Sequence, residues 1–207
     1  MARNSVIGNK QVILIRGGES FETNDDFLNN LKTCEVSIKW FPKKTDWKST
    51  LDEDLGEGFE VLLPQMPNKE NARYVEWKIW FERMLPFLSD EVILIGSSLG
   101  GTFLAKYLAE NTFPKIISQL HLIAPAHNDT VKVADFTIPE NLENITKQVG
   151  KIYIYHSVDD PIVPVTDFEK FQISLPTAKS VVLNGYGHVS VKQFPELIEN
   201  ITKEEND

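Results

Sequence analysis

Short runs of aliphatic and β-branched residues alternate along the chain with longer amphipathic stretches. Consecutive apolar positions in a short run indicate a strand buried on both faces, which requires helices above and below a mostly parallel sheet. The pattern therefore predicts an α/β protein, a three-layer sandwich around a sheet of about six strands. The predicted strands are residues 12–15, 60–63, 92–95, 119–124, 152–156 and 180–183.

In the longer stretches, apolar residues recur every three or four positions. This spacing predicts helices over residues 71–88, 99–111, 166–175 and 191–201. The first of these helices carries an apolar stripe that its spacing explains as core packing rather than as a ligand site. The stripe consists of Tyr74, Trp77, Phe81, Met84, Leu85 and Leu88.

Two segments resist assignment. Residues 22–58 show no clear period, and no element is predicted there. Residues 125–150 are too polar for a core strand and have room for a small cap over a site.

Length and charge narrow the range of functions. The 207 residues fit one domain over residues 1–207, and 21 basic against 30 acidic side chains give a formal net charge of −9. This excess of negative charge disfavours binding to nucleic acid or to a membrane surface. No apolar run reaches the roughly 18 residues of a membrane span, and no secretory signal is evident, so we expect a cytoplasmic protein. The single cysteine, Cys34, excludes an intramolecular disulfide and a zinc site made of several cysteines.

The most informative motif is the run V-I-L-I-G-S-S-L-G-G at residues 92–101, in which a strand passes through G-x-S-x-G into a helix. A serine at the tip of so tight a turn needs glycines two residues before and after it, because larger side chains would collide. Only Ser98 has them, in Gly96 and Gly100, so Ser98 is the candidate nucleophile. The alternative, a nucleotide-binding turn, is disfavoured because G-x-G-x-x-G and G-x-x-x-x-G-K-[ST] are both absent.

A serine nucleophile requires a histidine base and a carboxylate that orients it. His188 follows the last predicted strand in a loop with two glycines, so it is the candidate base. His121 lies inside an apolar strand and is interpreted as a core residue, whereas His127 and His156 lie near strand ends and either line a site or cap a strand.

The candidate acid is Asp160, which follows the fifth predicted strand and precedes Pro161. Ligands and catalytic groups gather at the carboxyl ends of strands in open α/β sheets. Asp159 is the second choice for the acid and Asp129 a weaker third choice. The chain order of Ser98, Asp160 and His188 is the order that nucleophile-elbow hydrolases use.

These motifs, G-S-S-L-G at residues 96–100, D-P-I-V-P at residues 160–164 and Gly187-His188, resemble those of the α/β-hydrolase superfamily. Together with M-P-N at residues 66–68, they are most similar to the small, nearly lidless serine hydrolases of the retinoblastoma-binding-protein-nine type. The resemblance spans residues 12–201. It implies an α/β-hydrolase fold and esterase-like acyl hydrolysis without a metal or an organic cofactor.

The resemblance also implies that the backbone amides of Gly18 and Leu99 form the oxyanion hole. Relatives often have histidine where this chain has Ser97, and commonly show His-Gly after the first strand, where this chain has Arg16-Gly-Gly-Glu19. Arg16 and Glu19 either pair with each other or leave Arg16 to bind an acidic group of a substrate.

The leading hypothesis is a serine hydrolase that cleaves an ester or thioester bond of a small acyl substrate through an acyl-enzyme. The alternative is a hydrolase-like binding module with little or no activity. A metal site is a weaker hypothesis, because no H-E-x-x-H or comparable spacing supports it. Its ligands would come from His121, His127, His156, Asp129, Asp159 and Asp160. Substrate identity and oligomeric state are not predicted.

Overall fold

The computed structural model describes residues 9–38, 45–127 and 133–203. Within them, six strands form one sheet in the order β2-β1-β3-β4-β5-β6, and every neighbouring pair is parallel. The strands are β1 (Lys10–Ile15), β2 (Phe59–Leu62), β3 (Glu91–Ser97), β4 (Ile116–Ile123), β5 (Val149–Ser157) and β6 (Lys179–Leu183). Each contains or overlaps a predicted strand, so the predicted α/β sheet is confirmed.

Helices cover both faces of this sheet, as the consecutive apolar positions require. Val12 and Leu14 face one core cluster, whereas Ile13 and Ile15 face the other, because successive side chains of a strand point to opposite faces. Helices α3 to α6 pack on the face of Ile13, and α2 and α7 pack on the face of Leu14. The helices are α1 (Asn24–Thr33), α2 (Trp47–Leu55), α3 (Tyr74–Met84), α4 (Leu99–Glu110), α5 (Glu143–Gln148), α6 (Val165–Ser174) and α7 (Pro195–Thr202).

The strand order places a reversal of the chain beside β1. The chain passes from β1 outward to β2 and returns to β3 on the other side of β1. In a parallel sheet, such a reversal opens a crevice at the carboxyl ends of the two strands, where ligands bind. The loops after β1 and β3 meet at this crevice. Within the described residues, none of the helices combines the length and the hydropathy needed to cross a bilayer.

The predicted helix over residues 71–88 is wrong in length. Helix α3 covers Tyr74–Met84 and is flanked by 3-10 turns at Lys69–Asn71 and Leu85–Phe87. Pro86 has no amide hydrogen to continue the helix. At the other end, the amide of Ala72 donates to the carbonyl of Glu19 at 2.7 Å, which holds Ala72 extended. The aromatic stripe is nevertheless core, since Trp77 and Phe81 are fully buried.

The last predicted helix, over residues 191–201, begins later than expected. Helix α7 starts at Pro195, whose fixed φ suits the first helical position. The carbonyl of Val191 instead accepts a hydrogen bond from the amide of Trp47 at 3.0 Å. That bond ties the segment before α7 to the start of α2.

The two unassigned segments contain short helices. Residues 22–58 hold α1 and α2, and α2 buries Trp47, Leu51 and Leu55, whereas α1 buries no side chain. In residues 125–150 the described part forms a 3-10 turn at Ala134–Phe136 and helix α5, and it adds Phe136 and Ile145 to the core.

Candidate active site

Ser98 occupies a strained turn between β3 and α4. Its φ of 55° and ψ of −126° lie in a region that residues with a side chain seldom adopt, and its amide donates to the carbonyl of Ile123 at 2.8 Å. A Cβ atom on Gly96 would lie 2.5 Å from the carbonyl oxygen of Gly100. One on Gly100 would lie 2.2 Å from the carbonyl oxygen of Ile15 at the end of β1. Both glycines of the motif are therefore required by close backbone contacts.

His188 lies beside the hydroxyl of Ser98, although the two residues are ninety positions apart in the chain. The ring Nε2 is 2.8 Å from Ser98 Oγ, and Nδ1 is 2.8 Å from Asp160 Oδ2. With the proton on Nδ1, the ring donates to Asp160 and accepts from the Ser98 hydroxyl. Gly187 and Val189, on either side of His188, both have positive φ, which turns the loop after β6 over the sheet edge.

Asp160 is held from two sides. Its Oδ2 faces His188, while Oδ1 accepts hydrogen bonds from the amides of Ile162 at 2.8 Å and Val163 at 3.0 Å. Its side chain has no exposed surface. Burial alone would raise the pKa of this carboxyl, but the hydrogen bonds from His188 and from the two amides outweigh burial and hold the pKa below its ordinary value. Asp160 is therefore an ionised carboxylate at neutral pH.

Asp159, the second choice for the acid, bonds to groups other than the imidazole ring. Its carboxylate accepts hydrogen bonds from the Ser157 hydroxyl and from the amides of Gly185 and Gly187. The third choice, Asp129, lies outside the described residues.

The hydroxyl of Ser98 opens into a cavity of about 470 Å³. Gly18 and Leu99, the predicted oxyanion donors, line this cavity together with Ser98. The amide of Leu99 lies in the first turn of α4 and so has no acceptor within the helix. Gly18 approaches the backbone closely, since a Cβ atom there would lie 2.3 Å from the carbonyl oxygen of Lys69.

The cavity is lined by both apolar and acidic side chains. Apart from Phe21, the apolar residues follow β3, β4 and β5, whereas the acidic ones lie between β1 and the end of α1. The lining residues that the structure describes are Gly18, Glu19, Ser20, Phe21, Glu22, Asp26, Asn30, Ser98, Leu99, Ala126, Val133, Ile162 and Val163.

A family model described as serine hydrolase matches residues 42–201 of the chain. The chain belongs to the serine hydrolase family. No curated protein sequence matches it.

Solved structures share the fold of this serine hydrolase at low sequence identity. The ydeN gene product of B. subtilis is 18% identical, with a TM-score of 0.69 over 94% of this chain and 97% of that chain. The meta-cleavage product hydrolase CumD from Pseudomonas fluorescens IP01 is 13% identical, with a TM-score of 0.65 over 94% and 90%. A thioesterase domain from the curacin biosynthetic pathway is 10% identical, with a TM-score of 0.60 over 95% and 92%. The predicted α/β-hydrolase fold is thereby confirmed.

The other histidines of the serine hydrolase have partners other than the Ser98 hydroxyl. His121 is fully buried, and its ring bonds to the Tyr155 hydroxyl at 2.9 Å and to Gln119 at 2.8 Å, as expected of a core residue. Burial lowers the pKa of His121 to about 3. His156 is buried against Phe168, and burial lowers its pKa as well. In the described part of the chain, no group of three or more His, Cys, Asp or Glu side chains is placed to hold a metal ion.

Arg16 and Glu19 form no ion pair within the described residues, so the first of the two alternatives for them is wrong. The backbone of Glu19 is fixed by hydrogen bonds with Lys69 and Ala72, and its side chain lines the cavity. Arg16 is not among the residues that line the cavity. Its Nε atom is buried and has no hydrogen-bond partner among the described residues.

Sequence reasoning missed the cavity wall that comes from residues 20–30 of this hydrolase. A signal was present at the start of α1. Thr23 and Asp26 form a capping box, in which the Thr23 hydroxyl accepts from the Asp26 amide at 3.1 Å and the Asp26 carboxylate accepts from the Thr23 amide at 3.1 Å. The T-x-x-D spacing is a recognised start of a helix.

Proposed function

We propose that this serine hydrolase cleaves an ester or thioester bond of a small acyl substrate, with Ser98 as nucleophile, His188 as general base and Asp160 as the orienting acid. The observation that carries the proposal is the continuous hydrogen-bonded chain from Ser98 Oγ through the two ring nitrogens of His188 to Asp160 Oδ2, with 2.8 Å at each step. A hydroxyl becomes a useful nucleophile only when a base is within this reach.

In the first half of the reaction, Ser98 Oγ bonds to the substrate carbonyl carbon while its proton passes to His188 Nε2. The carbonyl electron pair moves to the oxygen, and the amides of Gly18 and Leu99 stabilise that oxyanion. When the carbonyl re-forms, the bond to the alkoxide or thiolate breaks, and the leaving group takes the proton from His188. The product that remains is an acyl ester of Ser98.

In the second half, His188 removes a proton from water as the water oxygen attacks the acyl carbon. Collapse of this second tetrahedral intermediate breaks the bond to Ser98 Oγ, which recovers its proton from His188, and releases the carboxylic acid. Asp160 stays ionised throughout and stabilises the imidazolium. The lowered pKa of Asp160 supports this role.

The cavity supports a small acyl group. Its apolar lining residues, which include Ala126, Val133, Ile162 and Val163, suit an aliphatic acyl chain on Ser98. The thioesterase domain among the structural neighbours is the reason to test thioesters beside oxygen esters.

A fluorophosphonate probe and a panel of p-nitrophenyl esters and acyl thioesters of increasing chain length test the proposal. We expect the wild type to be labelled and Ser98→Ala to lose labelling and at least about 10³-fold in kcat. Ser97→Ala is the matched control, because Ser97 is the adjacent buried serine without a bond to His188, and it should be labelled like the wild type. Equal turnover by Ser98→Ala would refute the assignment, and an unlabelled wild type would favour the hydrolase-like binding module.

A further inference from the structure

The loop that carries His188 is held by side chains from the end of β5 and from the loop after it, which carries Asp160. Three successive backbone amides before His188 donate to side chains rather than to backbone carbonyls. Gly185 N and Gly187 N donate to the Asp159 carboxylate at 3.0 and 3.2 Å, and Tyr186 N donates to Ser157 Oγ at 3.2 Å. The Ser157 hydroxyl in turn donates to Asp159, so that one connected network binds all three amides.

Other contacts fix the Val189 end of this loop, since the Val189 carbonyl accepts a hydrogen bond from Trp47 Nε1 at 2.8 Å and the Val189 side chain is fully buried. The ring of Tyr186 packs against Phe194, but the amides of residues 185–187 are bound by the Asp159 network. Gly185, Gly187 and Val189 have φ values of 80°, 52° and 47°, so the chain turns through the left-handed region on both sides of His188. Apart from the chain neighbours, no atom lies within 4 Å of the Cβ position of Gly185 or Gly187, so close packing at these two positions does not require glycine. Successive amides in such a turn form a concave site for an anion. Asp159 supplies that anion from within the chain.

We infer that Asp159 is a positioning residue for His188, with Ser157 as its partner, an inference that rests on the proposed function. The two adjacent aspartates have different roles, since Asp160 orients the imidazole ring and Asp159 fixes the backbone from which the ring projects. The Ser157 hydroxyl and the two glycine amides, acting against burial, also lower the pKa of Asp159, which keeps it an anion at neutral pH.

Asp159 is exposed, so its hydrogen bonds contribute little to the stability of the whole fold. They determine instead where Nε2 of His188 lies relative to Ser98 Oγ. Since displacing a reacting group by about 1 Å can cost on the order of 100-fold in rate, the effect of losing Asp159 belongs in kcat.

The test compares Asp159→Ala and Asp159→Asn with the wild type, using an ester that the wild type hydrolyses. Asp159→Ala should lower kcat about 10- to 100-fold while KM stays within about threefold. The kcat of Asp159→Asn should lie between those of the wild type and Asp159→Ala, because the asparagine carbonyl still accepts hydrogen bonds while its NH₂ group faces an amide donor. Asp90→Ala, which removes another exposed carboxylate, near the amino end of β3, is the control and should match the wild type.

Each rate is divided by the fraction of molecules that a fluorophosphonate titrates, which removes any effect of a smaller folded population. An unchanged kcat in Asp159→Ala, or a loss that this division abolishes, would overturn the inference. If the wild type itself shows neither hydrolysis nor labelling, the proposed function has failed, and amide hydrogen exchange then decides about Asp159. Amide exchange at Gly185 and Gly187 should rise about tenfold in Asp159→Ala but not in Asp90→Ala. Unchanged exchange at these two amides in Asp159→Ala would refute the positioning role.

Discussion

At the scale of single residues, the two oxygens of Asp160 have different partners. Oδ1 accepts two backbone amides and anchors the side chain, which leaves only Oδ2 for the ring of His188. In Asp160→Asn the carbonyl oxygen would keep the two amides, and the NH₂ group would face Nδ1. The ring would then carry its proton on Nε2 and accept nothing from Ser98. We expect a loss of about 10⁴-fold in kcat with little change in KM, measured on the preferred ester. A loss of less than about tenfold would contradict the role of Asp160.

His121 makes stability depend on pH. Burial lowers its pKa to about 3 in the folded protein, whereas an unfolded histidine titrates near 6.5. The unfolded chain therefore binds one more proton between these values, so this group's contribution is fully present above about pH 6.5 and is lost as the pH falls toward 3. One proton corresponds to a slope of about 1.4 kcal/mol per pH unit.

Urea unfolding of the wild type and of His121→Asn checks this prediction between pH 4 and 6, a range of about two pH units between the folded and unfolded pKa values. The variant should show the shallower dependence of unfolding free energy on pH, by about one proton. His156 also has a lowered pKa, but it is present in both proteins and cancels in the comparison. Parallel slopes would show that His121 does not titrate as its burial requires.

Single residues were predictable where a motif fixes them. The glycines around Ser98 identify it from local sterics, and Gly187 beside His188 marks a loop that can bend. The sequence separates Asp160 from Asp159 less clearly, because both follow β5 and only the hydrogen-bond partners of their side chains distinguish them. Those partners include the amides of Gly185 and Ile162, which no local pattern reveals.

At the scale of elements, the turn from β3 into α4 depends on how closely α4 approaches β1. A Cβ atom on Gly100 would lie 2.2 Å from the carbonyl oxygen of Ile15 and 2.8 Å from that of Arg16, and neither backbone atom can move without shifting β1. Gly100→Ala should therefore lower the free energy of unfolding by about 3 kcal/mol or more, measured by urea denaturation.

Gly101→Ala is the matched control in the same turn of α4. Its Cβ atom would lie 3.0 Å from the carbonyl oxygen of Gly96 and 3.1 Å from the Cβ atom of Pro125. A shift of a few tenths of an ångström relieves both contacts, and alanine favours the helix by about 1 kcal/mol over glycine. It should stay within about 1 kcal/mol of the wild type. Equal destabilisation by both substitutions would show that α4 tolerates no side chain in its first turn, rather than that Gly100 alone meets β1.

The elements themselves followed from the sequence where the apolar pattern was long and regular. The six strands and α4 lie within a few positions of their predictions, because burial on both faces leaves consecutive apolar residues. Helix α2 was missed although Trp47, Leu51 and Leu55 recur every four residues, since the polar residues between them masked the period. Helix α1 buries no side chain and so has no apolar stripe to detect.

At the scale of the whole molecule, the parallel sheet explains how residues 98, 160 and 188 meet. Each follows a strand, and all strands point the same way, so their carboxyl ends share one edge. Strand order and crossing geometry then fix the distances, and a linear sequence records neither. For the same reason the sequence does not predict the cavity wall from residues 20–30. The assignment to the retinoblastoma-binding-protein-nine type stays a prediction.

The charge of the molecule predicts which substrates the cavity prefers. The formal net charge is −9, and Glu19, Glu22 and Asp26 line the cavity, whereas no lysine or arginine is among its described lining residues. A negative substrate therefore meets a repulsive potential on approach and in the cavity. With p-nitrophenyl esters of equal acyl length, we expect kcat/KM for a carboxylate-bearing ester to be about tenfold lower than for a neutral ester at low salt.

Salt and one substitution separate this effect from shape. The Debye length falls from about 30 Å at 0.01 M to about 8 Å at 0.15 M, so added salt should narrow the difference between the two esters without changing the neutral one. Glu22→Gln removes one negative charge from the cavity lining but keeps the size of the exposed side chain. It should also narrow the difference in kcat/KM between the two esters. The size and shape of the carboxylate-bearing ester stay the same in all these measurements, so only the charge interaction changes. If the carboxylate-bearing ester proves the better substrate, a basic contact must bind its carboxylate. If salt leaves the ratio of the two kcat/KM values unchanged, the acidic residues of the cavity do not select the substrate.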